Sequence, residues 1–356
     1  EAALDSINGP ITDRLAGMDA IDQEAIDLAM IDLDDTDNKS SLGGNATIAV
    51  SMAVLHASAA ANELSLWKYL AGNNHVRIPM PEIQIFGGGA HAGGRVDIQD
   101  FMAIPVGAES FDEALEMVSE VYIAAGRLMA DTGKQAGVAD EGGWWPQFDT
   151  NEEALDMLTR SIEAADLEPG EDVAISLDIA ASEFGKDGVY RLGLEGRELD
   201  GGGMVDLLGG WIDRYPIVSI EDPLGEDDPE PFRAFTEKYG THVQIIGDDF
   251  LVTNAERIDN AADAGICNSA LIKPNQAGTI TETKAALDAA RERGWGTVVS
   301  ARSGETEDVT IAHLSVGWNA GQLKVGSFSR SERMAKWNEI LRIEEALGDR
   351  ARLAGT

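Results

Sequence analysis

At 356 residues, 39 of them Gly and 44% apolar, the chain is long enough for one large core or for a barrel with a smaller domain attached. With 63 acidic against 27 basic residues its formal charge is −36, a field that repels phosphate backbones and anionic lipid, so nucleic-acid and membrane partners are excluded as first expectations. Its single cysteine, Cys267, rules out an internal disulfide, suits a reducing compartment, and follows an apolar stretch as a buried structural thiol would. The chain opens at Glu1 without Met, in what reads as helix already under way, so residues are expected to be missing upstream. No signal peptide pattern and no run of 18 consecutive apolar residues occurs, and cytoplasmic is the default location.

Residues 1–75 read almost entirely as helix. In "DQEAIDLAMIDLDD" the spacing puts Ala25, Ile26, Ala29, Met30 and Leu33 on one face. "GGNATIAVSMAVLHASAAANELSLWKYLAG" predicts a long Ala-rich helix and a shorter one, whose small residues allow close packing on a larger body. From Ile78 the rhythm changes to short apolar runs: "PEIQIF", "FMAIPV", "VAISLD", "PIVSIED", "VQIIGDD", "SALIK", "GTVVSA" and "GQLKVGS". After the third they recur about every 25 residues, separated by helical segments such as "TNAERIDNAADAG", as the units of an α/β barrel do. The expected division is a helical capping region over 1–75 and a (β/α) barrel over 76–356.

Charged residues end the later strands, where a parallel barrel keeps its active face. "VAISLD" ends in Asp178, "PIVSIED" in Glu221 and Asp222, "VQIIGDD" in Asp248 and Asp249, and "SALIK" in Lys273; "GTVVSARSG" continues to Arg302 and Ser303, and "GQLK" carries Lys324. Buried singly, such groups are costly; together they compensate, with carboxylates for a cation and cations for an anionic substrate. Asp178, Glu221 and Asp248 form a hard-oxygen set with little His or Cys nearby, which suits Mg²⁺, although any one of them would equally suit a helix cap. Asp222 and Asp249 read as supporting groups or caps. Lys273, near a cation and a second lysine, is expected to have its ammonium form disfavoured and so to act as a base. Arg302 and Ser303 offer a guanidinium fork and a hydroxyl for phosphate. Glu141, in "GVADEGGWWP", lies in a Gly-flanked loop shaped enough for a functional acid, and His91, in "FGGGAHAGG", fits a closing loop, a phosphate cradle or a plain turn.

Stretches including "SLGGNATIAVSMA", "DEGGWWP", "YPIVSIEDPLGEDD", "GDDFLVTN", "LIKPNQAGTITET", "ARSGETEDVTIAHL" and "GQLKVGSFSRSERMAKWNEILRIEEALGD" resemble the enolase (phosphopyruvate hydratase) family over essentially the whole chain. The resemblance implies a (β/α)8 barrel with an antiparallel second strand, preceded by an α+β N-terminal domain that is partly missing and mostly helical here. It implies a Mg²⁺-dependent, glycolytic lyase dehydrating 2-phosphoglycerate to phosphoenolpyruvate, and a homo-oligomer, dimer or higher. By position, Asp178, Glu221 and Asp248 would hold Mg²⁺, Lys273 would take the proton from carbon 2, and Glu141 would assist departure of the 3-hydroxyl. Lys324 would bind the substrate carboxylate, Arg302 and Ser303 the phosphate, with His91 on the closing loop and Gln99 and Asp100 beside the site. The chain departs from the family at Ala301, where the family has His; at Asp100, shortened from Glu; and at Gly87 and Ala90 in the loop. These departures gather near the leaving group. They imply two alternatives: a diverged paralogue acting on another phosphorylated or dicarboxylic acid, and a catalytically silent binding scaffold.

Overall fold

Eight short strands rich in β-branched and other apolar residues close on themselves in a computed structural model that describes residues 1–355, the His91 side chain excepted. They are β1 (Met80–Gly87), β2 (Asp100–Ile104), β3 (Ala174–Asp178), β4 (Ile217–Glu221), β5 (Gln244–Gly247), β6 (Ser269–Ile272), β7 (Gly296–Ser300) and β8 (Gly321–Gly326). Closure is by parallel pairing of β1 with β8, which sets Glu82 opposite Lys324. Strand β2 runs antiparallel to both of its neighbours, and the remaining pairs are parallel. The expected barrel with its reversed second strand is therefore what the chain forms. Nearly every strand residue is buried, because helices cover the outside and side chains fill the inside.

Side chains alternate along a strand, so the residue that ends a strand at the mouth shares its direction with those two and four places earlier. Asp248 follows Ile246 and Gln244, and Lys273 follows Leu271 and Ser269. Ile246, Leu271 and Val298 form a small apolar cluster separate from the main core. Gln244 donates to Ser269 Oγ (2.9 Å) and to Gln322 Oε1 (2.6 Å), and Gln322 donates to Glu82 Oε1 (2.7 Å). The barrel interior is thus part apolar plug, part hydrogen-bonded polar chain.

After a helical stretch over residues 2–15, the longer helices begin with α1 (Gln23–Asp34), α2 (Gly44–Ala61) and α3 (Leu66–Ala71); around the barrel follow α4 (Phe111–Thr132), α5 (Asn151–Ala164), α6 (Gly201–Ile212), α7 (Pro229–Tyr239), α8 (Ala255–Ala264), α9 (Ile280–Glu292), α10 (Thr310–Gly317) and α11 (Ser331–Leu347). Ser110, Thr150 and Thr279 start α4, α5 and α9 by accepting from the N–H three residues on. On α1, Ile26, Ala29 and Met30 are buried as the spacing predicts, with Ala25 and Leu33 half-buried. Polar groups pin this region to α9: Asp27 Oδ2 accepts from Thr281 N (2.9 Å) and Oγ1 (2.7 Å), and Ser51 Oγ accepts from Ile280 N (2.9 Å). Helix α2 has the length and mean hydropathy (1.2) of a membrane span, but it packs against α1 and α9, and His56 on it bonds Thr310 Oγ1 at 2.8 Å.

A three-stranded sheet and a hairpin went unseen in the sequence. Gly185–Lys186, Val189–Leu192 and Arg197–Asp200 form a small antiparallel sheet between β3 and α6. Gln135–Val138 and Trp144–Pro146 form a flap whose Trp144 also pairs with Phe86 of β1. Trp144 stacks on Tyr122 of α4 (centroids 4.7 Å apart) and donates from Nε1 to Tyr122 O (2.8 Å), and a Cβ on Gly126 would lie 2.5 Å from its ring. Gly126→Ala should therefore overpack this contact and cost about 1–3 kcal/mol; an unchanged midpoint in urea denaturation would contradict it.

Candidate active site

The mouth of the barrel encloses a cavity of about 210 Å³ lined by charged side chains from six strand ends. Asp178 and Glu221, paired in register at the ends of β3 and β4, both accept from Lys324 Nζ, Asp178 Oδ2 and Glu221 Oε2 each at 2.7 Å. Asp248, just past β5, is bonded to Lys273 Nζ through Oδ2 and accepts from Gln276 Nε2 at 2.9 Å. Gln99 Nε2 donates to Asp178 Oδ2 at 2.9 Å. The three carboxylates and two lysines predicted at separate strand ends meet in one place.

Burial sets the protonation pattern, and the lysines modify it. Burial, with Asp178 adding to it, holds the Glu221 carboxyl well above its usual range, while Lys324 offsets part of this. Asp248 is buried too, yet Lys273 and Gln276 outweigh the burial and lower its pKa. For Lys273 burial opposes the ammonium, but Asp248 and Glu221 win and raise it; Lys324 is raised further by Asp178 and Glu221. This is the balance while Asp248 pairs with the lysine, whereas the disfavoured ammonium was expected of Lys273 beside a divalent cation. With its partner carboxylate free to pair, the charged form is the favoured one.

Asp222 is not equivalent to its neighbours. Its backbone is left-handed (φ 41°), and its two oxygens accept from Asp248 N (2.9 Å) and Asp249 N (2.8 Å). It buttresses the turn that presents Asp248, although the carboxylates of Asp222, Asp248 and Asp249 offer oxygens within 4.8 Å of one another. Burial and Asp248 push Asp249 up to about 6. A divalent cation suits this site on two grounds: the donors are hard oxygens throughout, and Glu221 Oε1 is buried with no hydrogen-bond partner. Of the expected set Asp178, Glu221 and Asp248, only Asp248 belongs to the group of carboxylates that the fold brings within reach of one ion, while Asp178 and Glu221 share Lys324 beside it.

Across the cavity Glu141, 7% exposed, accepts from Ser303 Oγ through Oε1 at 2.8 Å. Its loop is rigid by construction. Glu141 O accepts from Ser327 N (2.8 Å), Gly142 sits at φ 94° with its carbonyl bonded to Tyr122 Oη (3.1 Å), and Gly143 N donates to Gln84 Oε1 (2.8 Å). Gln84 also donates from Nε2 to Asp100 Oδ1, so Asp100 is held inside the barrel and does not line the cavity. Burial and the nearby Glu141 hold the Asp100 carboxyl well above its usual range. Arg302, exposed, reaches Asn275 Oδ1 with Nη1 at 3.2 Å and lines the cavity together with Ala301 and Ser303. Gly87 abuts the flap: a Cβ there would lie 2.5 Å from Ala139 Cβ, which accounts for a glycine at that position. Ala90 is exposed. His91 lies in the short turn Gly89–Ala92, and its side chain is outside the described residues.

Residues 75–356 match the family described as "Enolase, C-terminal TIM barrel domain", and residues 1–70 match "Enolase, N-terminal domain". The chain belongs to the enolase family. It is 50% identical over 353 residues to "Enolase 1" of Desulfitobacterium hafniense (strain Y51), an alignment covering 98% of this chain and 81% of that protein. As an enolase-family member it is a carbon–oxygen lyase of the phosphopyruvate hydratase kind.

Several residues that build this enolase site were not singled out in the sequence: Glu82, Gln84, Thr253, Gln276, Arg333 and Lys336. Thr253 Oγ1 ties Gln276 to Lys273, donating to Gln276 Oε1 (2.7 Å) and accepting from Lys273 N (2.9 Å). The alternating Glu82 and Gln84 in "PEIQIF" were a signal that this strand carries polar groups inward. Glu82 is fully buried, its Oε2 has no hydrogen-bond partner, and burial pushes its pKa from 4.5 up to about 7. A carboxyl raised on folding lends stability below its unfolded pKa and loses it as pH climbs through the folded one. Glu82→Gln should thus match the parent near pH 4 and exceed its stability by about 2–3 kcal/mol at pH 8. Denaturant melts across that range check it; a stability gap that stays constant with pH would be the contrary result.

Proposed function

We propose that this chain dehydrates 2-phosphoglycerate to phosphoenolpyruvate, with Mg²⁺ held by Asp178, Glu221 and Asp248. The observation that carries the reading is Lys273 and Glu141 lining one cavity, with that carboxylate set beside the lysine. Bound there, Mg²⁺ would place positive charge against the substrate carboxylate and make the neighbouring C–H more acidic.

The chain's own residues do the rest. Lys273 Nζ takes the carbon-2 proton, which requires the neutral amine; its bond to Asp248 opposes that form, so Asp248 must be otherwise engaged when the proton moves. Lys324 lends positive charge to the substrate carboxylate. Glu141 gives a proton to the departing 3-hydroxyl, and Ser303, already bonded to Oε1, leaves Oε2 to carry it. Arg302 and Ser303 receive the phosphate, Gln99 steadies Asp178, and His91 arrives with the closing loop. With the overall charge opposing an anion, these local cations must also draw the substrate in. The same reading includes a division into capping region and barrel near residue 75, a cytoplasmic place in glycolysis, and assembly as a dimer or higher.

A second reading has an observation of its own. Ala301 puts a methyl group on the cavity wall, and Asp100 is turned to Gln84, so neither offers a polar group to the leaving-group side. A diverged paralogue acting on another phosphorylated or dicarboxylic acid would fit that. A silent scaffold would have no use for Lys273 and Glu141 in opposition.

Purified protein with Mg²⁺ should exchange deuterium from carbon 2 of 2-phosphoglycerate and release phosphoenolpyruvate. Lys273→Met should lower both rates by about 10²–10⁴-fold, whereas Glu141→Gln should lower release by a similar factor and spare exchange. Exchange on a different acid alone would move the assignment to the paralogue, and none on any acid would refute both. A chelator should abolish exchange and excess Mg²⁺ restore it; persistence of exchange in the chelator would remove the metal from the reading.

A further inference from the structure

The segment that follows β7, residues 301–309, contains no regular structure yet carries Arg302 and Ser303. Something other than a helix or sheet ladder must satisfy its backbone. The partners come from α11. Arg333 and Lys336, three residues apart and so on one face of the helix, are 1% and 0% exposed. Two cations buried in a protein need acceptors.

Arg333 finds three main-chain carbonyls: Nη1 donates to Arg302 O (2.7 Å) and Val325 O (2.9 Å), and Nη2 to Ser303 O (2.6 Å). Lys336 Nζ donates to Thr306 O (2.7 Å) and Glu332 O (2.9 Å) and pairs with Glu305 Oε2 at 3.0 Å. Glu305 in turn accepts from Arg302 N through Oε1 at 2.9 Å. Arg302 is therefore gripped on both sides of its own α-carbon, at N–H through Glu305 and at C=O by Arg333. Ser303 is gripped at its carbonyl while its hydroxyl points to Glu141 Oε1 (2.8 Å). The carboxylate nearest Arg333 Nε is Glu332 Oε1 at 3.7 Å, and Nε makes no hydrogen bond, so much of the guanidinium charge is left facing the underside of this segment.

We infer that Arg333 and Lys336 are positioning residues that clamp the 302–306 segment from beneath and aim Arg302 and Ser303 at a phosphate-like anion. The inference rests on the anion role given to Arg302 and Ser303 above and extends it to the residues that hold them. Arginine suits the first position because its planar fork spans carbonyls from two elements, β8 and the segment, which a single ammonium does not.

The test is calorimetric titration of the whole chain with inorganic phosphate and, separately, with Mg²⁺. Arg333→Met should weaken phosphate binding roughly tenfold or more, and Arg333→Lys, which keeps the charge and loses the fork, should fall between it and the parent. Lys336→Met should weaken phosphate binding by a smaller factor, and Mg²⁺ affinity should stay within about twofold of the parent in all three. If Arg333→Met fails to fold, Arg333→Lys and Lys336→Met decide. Parent-like phosphate affinity in the folded variants overturns the clamp alone, as does a parallel loss of phosphate and Mg²⁺ binding, which would mean general loosening. A parent chain that binds no phosphate, or binds it equally well after Arg302→Met, overturns the anion site and the clamp with it.

Discussion

The rest of the structure depends on Lys324, whose buried ammonium sits 2.7 Å from Asp178 and 2.7 Å from Glu221. Two carboxylates side by side in a protein interior repel each other and lose their hydration, a combination tolerable only with a cation between or beside them. Lys324 supplies it from the last strand, across the barrel from the strands that carry the acids. Closure of the barrel and assembly of the site are for this reason linked: the strand that pairs with β1 also carries the lysine.

A second lysine does the same for Asp248, and the pairing explains why the site is poised without being inert. Each ammonium that stabilises a carboxylate also competes with any other cation for it. The exchange is favourable only where the incoming partner is small, hard and multiply charged, and where oxygens such as Glu221 Oε1 wait without a partner. Selectivity for such an ion would follow from the competition as much as from the geometry.

The barrel and its strand-end charges were legible because they obey short-range rules: apolar runs of strand length, glycines at their ends, and single charged residues terminating each. Asp178, Glu221, Asp248, Lys273 and Lys324 stood out since a charge at the end of an apolar strand has few places to go. The protonation of Lys273 was not legible in the same way because it turns on which carboxylate is free, a matter of three-dimensional pairing. Arg333 and Lys336 were invisible for the opposite reason. In "SERMAKWNE" they look like an ordinary solvated helix face, and only the fold reveals that a loop without secondary structure lies over them. Gln84 was hidden within a strand counted as apolar, although it joins Asp100 to the Glu141 loop.

The reversed direction of β2 determines how the mouth is roofed. In a uniformly parallel barrel each strand begins at the floor, and a connection must travel the full height before the next one starts. Here β2 begins at the top, with Gln99 and Asp100 beside Asp178, so residues 88–99 leave β1 and enter β2 without ever descending. That connection is a strap fastened at both ends to the rim, its Gly88 and Gly89 N–H groups donating to Gln99 O and Val96 O. The long excursion from β2 to β3 then starts from the floor, and it returns to the rim with the flap that bears Glu141. One inverted strand thus brings two separate segments over the same opening, one from each side.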